Sequence, residues 1–300
     1  MPAYQVFVAA DGSYSNEDIS KMLIWQSIAA TGMFVLTAIF MRNKPPTAPT
    51  ADVEIQQKLR ANVDNSQAVK TVVQMLRDWN EMLHQPNFLF LLASFSCILG
   101  LNWAFLAIVG QMVYPCGYDQ TATGWAGFSL SFAGLAGSFF ISLILRSYKN
   151  YSTITKATVV LSAATGIWCL GVNGPGNFGL LVAAWVAFGL FSGPLIPVTL
   201  EFATEMTFPI PGDNSAALLF TGVNWISLAL TLGLSPLLDY PASVKCSSVV
   251  NPSAGLVLCF LVLAAIVCLP LHREYLRLDI VTLVKLVPES ESMREDGVNV

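Results

Sequence analysis

The sequence predicts an all-α membrane protein with seven transmembrane helices, and three observations lead to this fold class. Apolar residues make up 54% of the 300 residues and charged residues only 11%, which is far from the balance of a soluble domain. The apolar residues gather into seven runs, each near the roughly 20 helical residues that cross a hydrocarbon core about 30 Å thick. The segments between the runs must alternate between the two sides of the membrane, and the positive charge lies almost entirely in the segments on one side.

The seven runs are predicted to be helices, because lipid leaves no partner for the bare backbone groups of an open strand. They cover residues 22–41, 87–109, 122–145, 157–173, 178–200, 215–236 and 254–271. Pro194 and Pro197 interrupt the fifth run, which favours a bend at that point. Small residues, Gly134 with Gly137 and Gly189 with Gly193, form faces on which helices can approach closely.

The charge distribution predicts how the chain is threaded. Of the 15 lysine and arginine residues, only Lys21 and Lys245 fall on the sparsely charged side. The positive-inside rule then places the N-terminus outside and the C-terminus in the cytosol. One predicted inside loop, 201–214, departs from the pattern because it carries acidic residues and no basic one.

The segments around the spans give the predicted domain organisation. The parts are an extracytoplasmic N-terminal segment (1–21), a lone helix (22–41), a cytosolic linker (42–86), a six-helix bundle (87–271) and a cytosolic tail (272–300). We also expect a short tail helix near 273–287. A lone helix, a long linker and a six-helix bundle is the plan of the back half of a twelve-helix transporter, whose two six-helix bundles hold substrate between them. In that interpretation the first five helices of a front bundle are missing.

The linker is predicted to contain an amphipathic helix on the membrane surface. Apolar residues recur every three or four positions at Val69, Val72, Leu76, Trp79 and Leu83. The water-exposed face of this helix is predicted to carry Arg77, Asp78 and Glu81.

The cysteines and histidines do not form a pattern typical of a catalytic or metal-binding site. The six cysteines are scattered and mostly inside spans, where they are typical of small buried residues. Cys116 and Cys246 fall in predicted outside loops, so a disulfide between them is chemically allowed. His84 and His272 lie at predicted cytosolic boundaries and are interpreted as interfacial side chains. We expect no enzyme activity, cofactor, metal site or nucleic-acid partner, and a bilayer with a small-molecule substrate instead.

Polar and aromatic groups inside the spans are the candidate substrate-binding residues. They are Asn102, Trp103 and Gln111 in the second run and Asn224 in the sixth. Amides in hydrocarbon need another helix or a water-filled path, and a desolvated aromatic face attracts a cation by up to about 2 kcal/mol. Two structural alternatives stay open: Trp103 as a packing aromatic, and Asn224 as an interhelical hydrogen bond.

Glu201 and Glu205 are the candidate gating residues. They are four residues apart, which predicts one helical face at the cytosolic end of the fifth span. A pair of like charges near lipid favours partners from another segment, and hence a cytosolic gate. The alternative is a solvated helix end.

One stretch closely resembles a known family. Residues 200–219 read LEFATEMTFPIPGDNSAALL, which resembles the E-x-x-x-E-x-[ST]-[YF]-P pattern and Ser-Ala-rich helix start of the feline leukaemia virus subgroup C receptor-related transporters. These belong to the major facilitator superfamily. Lys44-Pro45-Pro46, the segment from Gln85 to Phe88 and the glycines of the third run resemble the same family.

The resemblance implies a C-terminal bundle of the major facilitator fold that carries a small cation such as choline or ethanolamine by alternating access. Trp103 falls where the choline-transporting members have a tyrosine, Asn224 falls where they have a glutamine, and Gln111 matches directly. Arg146 stands where the superfamily usually has an acid, and it could pair with Glu201 or Glu205. The resemblance favours the plasma membrane. Alternatives are a haem exporter of the same family, a seven-helix receptor and an inactive half that regulates a partner transporter.

Overall fold

A computed structural model describes residues 16–40, 70–113, 116–148, 150–172, 176–238 and 252–271. Every element of regular structure in these ranges is a helix. The helices are α1 (Asn16–Phe40), α2 (Lys70–Leu83), α3 (Pro86–Val113), α4 (Gln120–Ser147), α5 (Tyr151–Val172), α6 (Phe178–Ser192), α7 (Leu195–Met206), α8 (Gly212–Leu238) and α9 (Pro252–Cys268). The predicted tail helix and most of the predicted linker lie outside the described residues.

The predicted all-α membrane fold is confirmed. Within the described ranges, six helical segments are long and apolar enough to cross a bilayer. They are Leu23–Phe40, Pro86–Val113, Thr121–Ser147, Tyr151–Val172, Phe178–Met206 and Gly212–Leu237. The seventh predicted span corresponds to a shorter apolar helix, Ala254–Cys268.

The chain divides into two compact units, Met1–Lys58 and Leu59–Val300. The described part of the first unit is α1. The hydroxyls of Ser27, Thr31 and Thr37 donate to the backbone carbonyls four residues earlier, at 2.9, 2.7 and 2.8 Å. Because these hydroxyls are satisfied within the helix, they add little polarity to the Leu23–Phe40 part of α1, which is long and apolar enough to cross a bilayer.

In the second unit, α3 and α8 run parallel and in close contact. A Cβ atom at Gly100 would lie 2.9 Å from the side chain of Ile226. A Cβ at Gly222, four residues earlier on α8, would lie 2.9 Å from Leu92. Residue numbers therefore rise together on the two helices, so both run in the same direction.

Helices α4 and α6 also run parallel, with backbone against backbone. A Cβ at Gly189 would lie 2.2 Å from the carbonyl oxygen of Leu130, and one at Gly193 would lie 2.2 Å from that of Gly134. Such a distance leaves no room for any side chain, so these glycines set the separation of the two helices.

Helices α5 and α9 run antiparallel. Ser152, at the start of α5, donates to the carbonyl oxygen of Leu271 at 3.4 Å, just beyond the end of α9. Farther along α5, a Cβ at Gly166 would lie 2.9 Å from Leu261. Helices α3 and α8 therefore begin at the same end of the bundle, where α2 contacts the start of α8.

Where two prolines predicted a bend, the helical hydrogen-bond pattern is interrupted, although Gly193 and Pro194 keep right-handed helical backbone angles. Helix α6 ends at Ser192 and α7 begins at Leu195, with Gly193 and Pro194 between them. Proline has no N–H to continue the helix, so the backbone ladder is interrupted at this position. The two pieces still extend over a single membrane-length segment, Phe178–Met206.

Helix α2 forms where the linker helix was predicted, but the prediction for Asp78 is wrong. Val73 and Leu76 are 67% and 54% exposed, whereas Asp78 is only 9% exposed and Met82 is fully buried. Asp78 faces the start of α8 because its carboxylate accepts a hydrogen bond from the Asn214 amide there. A partner of this kind is what allows an acid to leave water.

Cys116 forms a disulfide, while Cys97, Cys169, Cys259 and Cys268 are free. The second cysteine of the predicted pair, Cys246, lies outside the described residues.

We predict that maleimide labelling of denatured, unreduced protein modifies four cysteines in the wild type and one more in Cys116→Ser. Intact mass measures both counts. An unchanged count in Cys116→Ser would contradict the disulfide of Cys116.

Candidate substrate site

Trp103 lies in an aromatic cluster where α3 meets α8. Its indole is half-buried and stacks on the ring of Phe220, with ring centroids 6.1 Å apart and planes 15° apart. Phe95 meets the same Phe220 ring edge-on at 6.0 Å and 75°. Both geometries are favoured by the charge distribution of aromatic rings. Trp103 therefore has the packing role that the sequence left open, with part of its surface still exposed.

Asn224 lies one helical turn beyond Phe220 on α8. Its amide Nδ2 donates to the backbone carbonyl oxygen of Phe220 at 2.8 Å, and its side chain is exposed. An amide has two N–H donors and a carbonyl acceptor, so this bond leaves it capacity to bind a ligand. Phe220 thus links Trp103 and Asn224, two residues predicted from separate spans.

The depth of Asn224 makes its exposure significant. It lies twelve residues after the start of α8, about 18 Å along the helix at 1.5 Å per residue, and so near the middle of a core about 30 Å thick. The neighbouring Trp225 is 68% exposed. An amide at this depth needs a polar surrounding or another helix, so this face of α8 is unsuited to lipid.

Asn102 makes a hydrogen bond across the bundle. Its Nδ2 donates to the hydroxyl oxygen of Ser192 at 2.8 Å, and Ser192 is fully buried at the end of α6. The bond ties α3 to the point where α6 and α7 separate. Asn102 therefore joins α3 to α6, and its role in substrate binding remains a prediction.

Gln111 lies farther along α3. It is exposed and eight residues beyond Trp103, which corresponds to about 12 Å along the helix axis. The structure therefore places Gln111 at a different depth from the aromatic cluster. A role for it in binding remains a prediction.

The candidate gating residues differ in burial. On α7, Glu201 is exposed whereas Glu205 is only 5% exposed. The two carboxylates therefore do not form a single exposed pair, although their spacing predicts one helical face. Arg146 is exposed near the end of α4. The gate remains a prediction.

Sequence reasoning missed two residues of this region, Phe220 and Ser192. Phe220 gave no signal of its own, because a phenylalanine in an apolar run is ordinary. Its spacing of four residues from Asn224 would have placed the two on one face of the helix. Within the described residues, no group of three or more His, Cys, Asp and Glu side chains could hold a metal ion.

A bundle of membrane-crossing helices with an exposed amide at mid-depth defines a polytopic membrane protein that has a polar face within its spans. No family model matches the sequence. Individual proteins do match it. The choline/ethanolamine transporter FLVCR1 of Mus terricolor is 29% identical over 219 residues, which cover 71% of this chain and 37% of that protein. Solute carrier family 49 member A3 of Danio rerio is 27% identical over 230 residues, or 76% of this chain and 45% of that protein.

A third relative, the choline/ethanolamine transporter FLVCR1 of Felis catus, is 24% identical over 289 residues, which cover 93% of this chain and 48% of that protein. The resemblance to the feline leukaemia virus subgroup C receptor-related transporters of the major facilitator superfamily is thereby confirmed. The chain spans less than half the length of these curated relatives.

Proposed function

We propose that the chain is the C-terminal six-helix bundle, preceded by one further helix, of a carrier that moves a small organic cation by alternating access. Choline and ethanolamine are the substrates we favour, because two of the relatives above are named as transporters of both. In this proposal residues 22–41 form the sixth helix of the full fold, and 87–271 form the back bundle. The front bundle would be the partner that covers the exposed face of α8.

The observation that carries the substrate proposal is the arrangement of Trp103, Phe220 and Asn224. A quaternary ammonium has no N–H to donate, so it is held best by aromatic faces, each worth up to about 2 kcal/mol when desolvated. The exposed part of the Trp103–Phe220 stack offers such a face. The Asn224 amide, one turn away, can accept a hydrogen bond from the hydroxyl of choline.

In the same proposal the break between α6 and α7 and the acids that follow it serve the conformational change. A broken helix can change its bend without unfolding either piece. Glu201 and Arg146 are both exposed, so they are available to a basic and an acidic partner from the front bundle. Glu205 would hold α7 from its buried side.

We expect the complete carrier in the plasma membrane, which surface biotinylation would test.

The proposal is tested by uptake of radiolabelled choline into cells. Because the chain spans less than half of its relatives, it is assayed alone and fused behind the first half of the mouse choline/ethanolamine transporter. We expect saturable uptake from the fusion. Trp103→Ala should raise the half-saturating choline concentration by about thirtyfold, as loss of about 2 kcal/mol requires.

Trp125→Ala is the matched control, because Trp125 is 51% exposed on α4 and packs against Phe128. We expect it to leave the half-saturating concentration unchanged. Equal kinetics in Trp103→Ala and wild type would remove Trp103 from the site. A well-folded, surface-exposed fusion without choline uptake would refute the substrate.

A further inference from the structure

Helix α2 is held at the start of α8 by two hydrogen bonds that run in opposite directions. The Asn214 amide Nδ2 donates to Oδ2 of Asp78 at 2.7 Å. The Trp79 indole Nε1 donates to the backbone carbonyl oxygen of Asn214 at 3.1 Å. One residue of α8 is thus bonded through both its side chain and its backbone to adjacent residues of α2.

The burial of Asp78 shows that this contact orients α2. The side chains of Asp78 and Met82, four residues apart on one face, are 9% and 0% exposed, while Val73 and Leu76 point away from the bundle. A buried carboxylate is destabilising unless its charge is compensated. Part of the compensation is the short hydrogen bond from the Asn214 amide at the first turn of α8, where the helix dipole favours a negative charge.

The same geometry selects one rotation of α2. Turning the helix by one residue would bring the exposed Arg77 toward the start of α8 and move Asp78 away from Asn214. Both hydrogen bonds would then be lost together. Apolar contacts such as that of Met82 tolerate small rotations, whereas this pair of bonds does not.

We propose that Asp78, Trp79 and Asn214 form a latch that joins α2 and α8 into one moving body. Phe220 and Asn224 lie six and ten residues after Asn214 on the same continuous helix, α8. A displacement of the linker at α2 is therefore passed to the helix that carries the aromatic cluster. The three latch residues are positioning residues that act through α8. This proposal does not depend on the identity of the substrate.

The test measures how often α2 leaves the bundle. The full chain carries Cys259→Ser, which removes an exposed free thiol. Met82→Cys then places a thiol on the buried face of α2, where the native side chain is fully buried. Its rate of labelling by a water-soluble maleimide in detergent micelles reports opening of the latch. Asn214→Asp sets a second carboxylate against Asp78, and we expect labelling to become about tenfold faster, because a charge-assisted hydrogen bond is replaced by repulsion.

A swap of the two side chains distinguishes the latch from general packing. In Asp78→Asn with Asn214→Asp, the new amide at position 78 can donate to the new carboxylate, so we expect labelling to return to the starting rate. Asp213→Asn is the control, because Asp213 is an exposed acid in the same turn of α8. It should leave the rate unchanged.

Trp79→Phe keeps the ring and removes one donor, and we expect a smaller rise of about fivefold, the value of one neutral hydrogen bond. It gives a result even if the charged variants fail to fold. An unchanged rate in both Trp79→Phe and Asn214→Asp would overturn the latch, as would a swapped variant that labels as fast as Asn214→Asp.

Discussion

Phe105→Ala should destabilise the bundle by about 2–3 kcal/mol, because a cavity costs about 24 cal/mol per Å³ and this change removes roughly 100 Å³. Phe105 is 1% exposed, and its ring lies 5.9 and 5.8 Å from those of Trp185 and Phe188 on α6. Because lipid is as apolar as the core, the loss is one of packing between α3 and α6. Unfolding in mixed SDS micelles, followed by tryptophan fluorescence, would measure it.

The matched control for this prediction is Phe132→Ala. Phe132 is 62% exposed on α4, so its removal leaves no internal cavity. We expect its free energy of unfolding to fall by no more than about 1 kcal/mol, through loss of the stack with Phe128. Equal destabilisation by the two substitutions would mean that Phe105 does not join α3 to α6 in the folded protein.

Gly189→Ala should force α4 and α6 apart. The added Cβ would lie 2.2 Å from the carbonyl oxygen of Leu130, and a backbone atom cannot rotate away as a side chain can. Overpacking of this kind destabilises by about 1–3 kcal/mol, and we expect the upper end of that range because neither helix can yield locally. Thermal unfolding followed by size-exclusion chromatography should show a lower midpoint and more aggregate.

Gly179→Ala on the same helix provides the comparison, because no atom beyond the adjacent turns of its own helix lies within 4 Å of the position that its Cβ would take. Alanine is the better helix former, so this variant should be neutral or more stable by up to about 1 kcal/mol. If Gly189→Ala melted at the same temperature as Gly179→Ala, the backbone contact between α4 and α6 would be wrong.

The transmembrane helices could be predicted from sequence because the bilayer imposes a length and a composition that each segment meets by itself. The break between α6 and α7 was equally local, since Pro194 removes a backbone donor wherever the helix packs. These features need no knowledge of neighbouring helices.

The prediction for Asp78 failed because its environment is set by a residue far along the chain. Periodicity put the acid on the water-exposed face of α2, whereas Asn214 and the first turn of α8 supply the partner that buries it. Phe220 escaped notice for the same reason, because only the approach of α3 to α8 turns an ordinary apolar residue into the stacking partner of Trp103.

The spacing of Glu201 and Glu205 shows a milder form of this limit. Four residues along a helix give a shared face to within about 40°, which is enough to place two side chains on either side of a packing boundary. The neighbours of α7 decide that boundary, and they leave Glu201 exposed and Glu205 buried. Helical spacing therefore could not predict that the two acids differ in their exposure to solvent.

The contact between α4 and α6 also bears on how the protein responds to its lipid. Helix α4 has 28 residues and the α6–α7 segment has 29, so at 1.5 Å per residue each is about 42–44 Å long. Both exceed a hydrocarbon thickness of about 30 Å, and tilting is one way in which helices of this length fit a bilayer. Because α4 and α6 are in contact through glycine backbones, neither can change its tilt angle alone. A thinner or thicker bilayer would therefore change the tilt of both helices together.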